Sequence, residues 1–122
     1  MNRKVAKLIR NLNERTKATI LDIIESPTKW NLIQFYKSNP FSIHTPRGLA
    51  NIIGRRDNQV YKEAEELATA GILKRISENG DPTSIYSYEP DEEMTSIING
   101  LSDIDEDPRD LMEELLKAIK EN

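Results

Sequence analysis

Apolar residues recur along this chain mostly at helical spacing, and at strand spacing in one region. Val5, Leu8, Ile9 and Leu12 fall at i, i+3, i+4 and i+7, one face of a helix. Ile20, Leu21, Ile23 and Ile24 continue the helical character. The polar run NERTK between them fits either a turn or one continuous helix whose stripe shifts. Ser26-Pro27 then reads as a cap followed by a proline at the first helical position. The helix it opens carries Trp30, Leu32, Ile33, Phe35 and Tyr36 and stops at Asn39, which Pro40 pushes out of the helical region. FSIH alternates, as a brief strand or extended segment would. Thr45-Pro46 repeats the cap-plus-proline start. The helix behind it buries Leu49, Ala50 and Ile53, and Gly54 supplies a left-handed stop. Asp57 is expected to cap the next helix, over 57–70, with Val60, Ala64, Leu67 and Ala68 on its buried face and Gly71 ending it.

ILKRIS and SIYSYEP alternate as two strands, and Asn79-Gly80 between them is the strongest hairpin signal in the chain. Past Pro90, Met94, Ile97, Ile98 and Leu101 mark a short helix. The acidic run SDIDEDP follows, and Asp107-Pro108 starts a last helix with a stripe of Leu111, Met112, Leu115, Leu116 and Ile119. Glu113 and Lys117 stand at i, i+4 in the favourable order. The pattern predicts a mainly α chain with a small β-hairpin. It divides into an N-terminal helical extension over 1–26, a central domain over 27–90, and a C-terminal helical extension with an acidic linker over 91–122.

Composition narrows the classes. At 122 residues, 37% apolar and 31% charged, the chain suits one folded domain with a highly charged surface. Cysteine is absent, which excludes disulfide frameworks, thiolate nucleophiles and cysteine-ligated zinc. No run of 18 or more apolar residues predicts a membrane span, and the basic N-terminus is not followed by a secretory core, so a cytoplasmic location is the expectation. The net charge of −4 hides an asymmetry: residues 1–62 hold 12 Lys/Arg against 4 Asp/Glu, and residues 63–122 hold 5 against 17. Such a split sets up a field across the molecule or between subunits.

The central region carries a specific constellation. In TPRGLANIIGRRDNQVYKEAEELATAGILKRI, residues 45–76, Leu49 and Ala50 sit in a first helix and Gly54 at the turn. Val60 comes early in the second helix, then Leu67 and a Gly71-Ile72-Leu73 exit, and the hairpin SENGDPTSIYSY follows. Over residues 30–89 this pattern resembles a winged helix-turn-helix domain of the MarR-like and ArsR-like kind found in prokaryotic transcription regulators. The resemblance implies that the second helix enters the major groove by its N-terminal turns, and that the tip over 79–83 is a wing. It departs from the family at that tip. Wings often carry Arg or Lys for the flanking minor groove or phosphates, whereas this one carries Glu78 and Asp81, with Lys74 and Arg75 in the strand before.

At 100° per residue with Val60 inward, Asn58, Lys62, Glu65, Glu66 and Thr69 point away from the core. Gln59 and Tyr61 flank that face and Glu63 lies towards the inner rim. Glu66 stands ~12 Å along the axis from Asn58, so a helix entering by its first two turns presents Arg55, Arg56, Asn58, Gln59, Tyr61 and Lys62 before most of the acids. Asn and Gln match adenine and Arg matches guanine. Arg47, Lys62 and Thr45, with the free N–H groups of its helix start, suit phosphates. Tyr61 alternatively packs on a neighbouring helix. His44, the only histidine, reads as structural, Tyr86 and Tyr88 as packing, and the acidic run as a solvated linker without calcium-loop spacing. No catalytic constellation or cofactor site stands out, and no effector pocket is legible.

The apolar stripes of the flanking helices must be covered, by folding back on the chain or by a second copy. The expectation is therefore a homodimeric, sequence-specific duplex-DNA-binding regulator of transcription. Its alternative is a winged-helix protein–protein interaction module in a larger assembly, motivated by the acidic wing and by Glu63, Glu65 and Glu66.

Overall fold

The computed structural model describes residues 3–10, 12–76, 85–104 and 107–121. Seven helices and two strands occur among them: α1 (Arg3–Ile9), α2 (Glu14–Glu25), α3 (Pro27–Ser38), α4 (Pro46–Ile53), α5 (Asp57–Thr69), β1 (Leu73–Arg75), β2 (Tyr86–Tyr88), α6 (Glu92–Ser102) and α7 (Pro108–Glu121). The chain is mainly helical with one small antiparallel sheet, as the periodicity predicts. The expected tip over 79–83, with Glu78 and Asp81, lies outside the described residues.

The chain divides into two compact units, residues 28–92 and residues 1–27 with 93–122. The two extensions predicted at opposite ends of the chain thus belong to one unit. Within it, α7 packs on both α1 and α2. Val5, Ile9, Ile20, Leu111 and Leu115 are buried, as are the four predicted residues of α6, Met94, Ile97, Ile98 and Leu101. The polar run between α1 and α2 resolves into a break: Asn13 caps α2 by accepting from the Thr16 N–H at 2.8 Å. Asp107 starts α7 as expected, accepting from the Arg109 N–H at 2.8 Å. Glu113 and Lys117 form no ion pair among the described residues. The apolar stripes of the extensions are therefore largely covered within the chain, and the need to cover them does not by itself call for a second copy.

In the unit over 28–92, α4 and α5 pack closely and β1 lies against α5. Leu49, Ala50, Val60, Ala64 and Leu67 are buried, the inner stripe expected of the two helices. Ile53, also expected there, is half-buried. The connection between them is three residues long. Gly54 takes φ 74 and ψ 40, and the N–H groups of Gly54 and Arg55 both donate to the Ala50 carbonyl, at 2.9 and 3.0 Å. This left-handed ending satisfies an orphan carbonyl and turns the chain sharply. Gly71, at φ 82, ends α5 similarly, with the Ile72 N–H donating to the Leu67 carbonyl at 3.0 Å.

The strands pair Leu73 with Tyr88, Lys74 with Ser87 and Arg75 with Tyr86. FSIH contributes only His44, which makes an isolated antiparallel bridge to Tyr86. The reason is local: a turn over 39–42, closed by the Ser42 N–H on the Asn39 carbonyl at 3.0 Å, uses up the rest of the segment. The His44 ring stands edge-on to Phe35 at 5.4 Å, a packing role. Tyr88 stacks on Tyr36 at 6.0 Å, and the Tyr36 hydroxyl donates to the Tyr86 carbonyl at 3.0 Å.

The Gly54 turn is the joint on which the α4–α5 angle rests. A Cβ there would meet nothing within 4 Å, so only backbone strain opposes a side chain. Gly54→Ala is expected to cost about 1–2 kcal/mol. Urea unfolding should show a lowered midpoint with an unchanged slope.

Candidate nucleic-acid interface

Helix α5 is divided along its length, and its glutamates explain the division. Glu63 and Glu66 flank Lys29 of α3: the ammonium is 2.7 Å from a Glu66 carboxylate oxygen and 3.2 Å from one of Glu63. Lys29 is buried at 7% exposure and Glu63 is largely shielded, so that contact is close to internal, while Glu66 reaches in from the surface. Burial alone would lower the Lys29 pKa, but the hydrogen bonds and charges of Glu66 and Glu63 outweigh it and raise it. Glu65 turns the other way and pairs with the Arg75 guanidinium of β1. Burial by itself would raise the Glu65 carboxyl. Arg75, with the phenols of Tyr86 and Tyr61 beside the same carboxylate, reverses that and holds it below the usual glutamate range.

The Tyr86 hydroxyl is buried within the field of this pair but meets no hydrogen-bond geometry. Burial first, and the Glu65 carboxylate second, push it up to about 12. Helical periodicity with Val60 inward points Glu65 away from the core. The side chain does not point there, because β1 covers a flank of α5 that the α4-facing stripe leaves out of account.

The N-terminal half of α5 is different. Arg56, Asn58, Gln59 and Lys62 are exposed and Arg55 is half-buried. Arg55, Arg56 and Lys62 form no ion pair with another described residue. The Asn58 side-chain oxygen accepts from the Gln59 N–H at 2.8 Å, and the residue is exposed. Tyr61 is half-buried, and its phenol lies beside Glu65 of the same helix.

From α4, Thr45 caps the helix by accepting from the Gly48 N–H at 3.1 Å, which commits its oxygen locally. Arg47 is exposed and faces Asp57, with Nε 3.8 Å from the carboxylate. Pro46, Arg47, Asp57, Asn58 and Tyr61 together line a shallow depression where the two helix starts meet. The structure thus brings Arg47, Asn58 and Tyr61 to one place and sets Arg55, Arg56, Gln59 and Lys62 on the same turn and the first two turns of α5.

Asp57 requires a correction. It is the first helical residue, not the cap. Arg56 holds the cap position, with φ −74 and ψ 142, and its carbonyl accepts from the Val60 N–H at 3.0 Å. No side chain caps α5.

Nothing in the sequence pattern singles out Lys29, and by sequence Arg75 is only a cation in the strand before the expected wing. One signal was available: Glu63 and Glu66 stand at i, i+3, where two carboxylates can share one cation. Nothing in the spacing names that cation as Lys29. On β1, Lys74 is exposed while Arg75 faces inward, as strand alternation requires. The chain matches no protein-family model, no curated protein and no solved structure.

The Glu65–Arg75 pair has a defined pH signature. A carboxyl held lower in the folded than in the unfolded state contributes stability above the unfolded value, and loses it as pH falls through the folded one. Glu65→Gln is therefore expected to lower the urea midpoint at pH 7. The gap between variant and wild type should narrow in urea titrations carried below the usual glutamate range.

Proposed function

We propose that this protein is a sequence-specific duplex-DNA-binding regulator of transcription, built on a winged helix-turn-helix. In this reading α4 and α5 form the helix pair, β1 and β2 the base of the wing, and the first two turns of α5 enter the major groove. One observation carries it: the three glutamates of α5 that would oppose a polyanion are engaged by Lys29 and Arg75, while Arg56 and Lys62 are exposed and Arg55 is half-buried, none of the three in an ion pair with another described residue. Asn58 and Gln59 supply amides for base edges. Arg47, Arg55, Arg56 and Lys62 supply cations for phosphates or guanine, and Thr45 stands at a helix start suited to a phosphate. Tyr61 serves at the edge of the face. Activity follows from occupancy of DNA and requires no cofactor.

The proposal includes a homodimer. A two-fold pair of reading helices matches half-sites one turn of DNA apart. What supports it in the unit over 1–27 and 93–122 is a residual stripe on α7: Met112, Leu116 and Ile119, at i, i+4 and i+7, are only half-covered.

The second reading is a winged-helix protein-interaction module. Its supporting feature is no longer the glutamates of α5 but Phe41 and Ile43, which are 95% and 56% exposed on the loop before α4.

Binding of labelled duplexes tests the choice. A DNA reader loses affinity steeply with salt, with a slope set by the phosphates neutralised. Lys62→Ala should weaken all sequences alike and reduce that slope by about 1, whereas Asn58→Ala and Gln59→Ala should relax base preference. Absence of any duplex binding at low salt, across a random pool, refutes the regulator and leaves the interaction module. Light scattering checks the dimer, with an expected mass twice the 14.0 kDa of one chain.

A further inference from the structure

Asp57 is the one acid of α5 without an internal partner of the kind that Glu63, Glu65 and Glu66 have. The cap position belongs to Arg56, so Asp57 is not held by a capping bond. Its side chain is 61% exposed, and its ion-pair partner Arg47 is itself 83% exposed and stands at 3.8 Å, beyond hydrogen-bond length. It lines the depression between the starts of α4 and α5 beside Asn58 and Tyr61. An acid here faces outward, on the turn of α5 that leads into the groove under the DNA reading.

We infer that Asp57 is a specificity-determining residue, and that its carboxylate accepts the N4 amino proton of a cytosine in the major groove. The inference rests on the duplex-DNA reading above. Its chemistry is selective by elimination. A carboxylate only accepts hydrogen bonds, and the major-groove edges of guanine and thymine offer only acceptors or a methyl group. Adenine offers an N6 donor, but its N7 acceptor lies alongside and opposes a carboxylate. Cytosine offers N4–H2 alone. Arg47 makes the arrangement tolerable near phosphates: its long, exposed side chain can turn to the backbone while still offsetting the Asp57 charge.

Substitution gives this a distinctive readout, because an amide at the same place reads a different base. Selection of bound duplexes from a random pool, with full-length wild type, Asp57→Asn and Asp57→Ala, tests it. Circular dichroism confirms that each variant keeps its helix content. The wild type should prefer cytosine at one position, by roughly ten-fold. Asp57→Asn should move that preference to adenine, which Asn can engage through N6 and N7. Asp57→Ala should flatten it while raising affinity for unselected duplex a few-fold.

An acid serving only the positive end of the helix would give another outcome. Asp57→Ala would then weaken all sequences alike, and the three base profiles would superimpose. That result overturns the role of Asp57 and leaves the DNA reading standing. A wild type that selects no sequence at any salt overturns both.

Discussion

The arrangement of this protein's candidate interface depends on how the carboxylates of α5 are neutralised. Three glutamates within four residues of one helix repel one another and any polyanion. Here they are divided between two cations on different elements, Lys29 on α3 and Arg75 on β1. The same contacts that quiet the charge also fasten α5 on two sides. One pair ties it to the helix beneath, and the other ties it to the first strand of the hairpin. At the Lys29–Glu63 contact both side chains are largely shielded, so removing one partner leaves the other charge poorly solvated, whereas the Glu66 carboxylate also reaches water. The cations of the first two turns are then free of internal obligations.

The backbone carries the other half of the arrangement. Gly54 stops α4 in the left-handed region, and three residues later α5 has begun. So short a joint fixes the angle between the helices and projects the start of the second one. Arg55 and Arg56 lie in that joint, so their position is set by the turn and not by side-chain packing. The result is a face whose charge is positive near the joint and internally balanced further along.

Most of this fold was legible in the sequence, and the exceptions share a cause. Leu49, Ala50, Val60, Ala64 and Leu67 announce their burial by spacing, and Gly54 and Gly71 announce their turns by residue type. So do Met94, Ile97, Ile98 and Leu101 on α6. These signals are local. The partners of Glu63, Glu65 and Glu66 are set by how elements pack, which periodicity within one helix does not encode. For the same reason a single inward stripe misplaced Glu65, whose flank is covered by β1. Asp57 was misread because a cap residue and a first-turn acid have the same composition and differ only by one position of backbone. The two terminal extensions, far apart in sequence, combine in one unit for a reason spacing cannot give: α7 finds its apolar partners on α1 and α2.

The proposed use of α5, with its exposed N-terminal half toward DNA and its glutamates paired within the protein, is tested most directly by nuclear magnetic resonance, adding a duplex to isotope-labelled protein at low salt. Shifts are expected to concentrate at Arg47 and over residues 55–62. The side chains of Lys29, Glu63, Glu65 and Glu66 should keep their free-state signals, since their pairs stay closed. Shifts centred on the glutamates, or confined to the unit over 1–27 and 93–122, or no shifts at any duplex concentration, would contradict it.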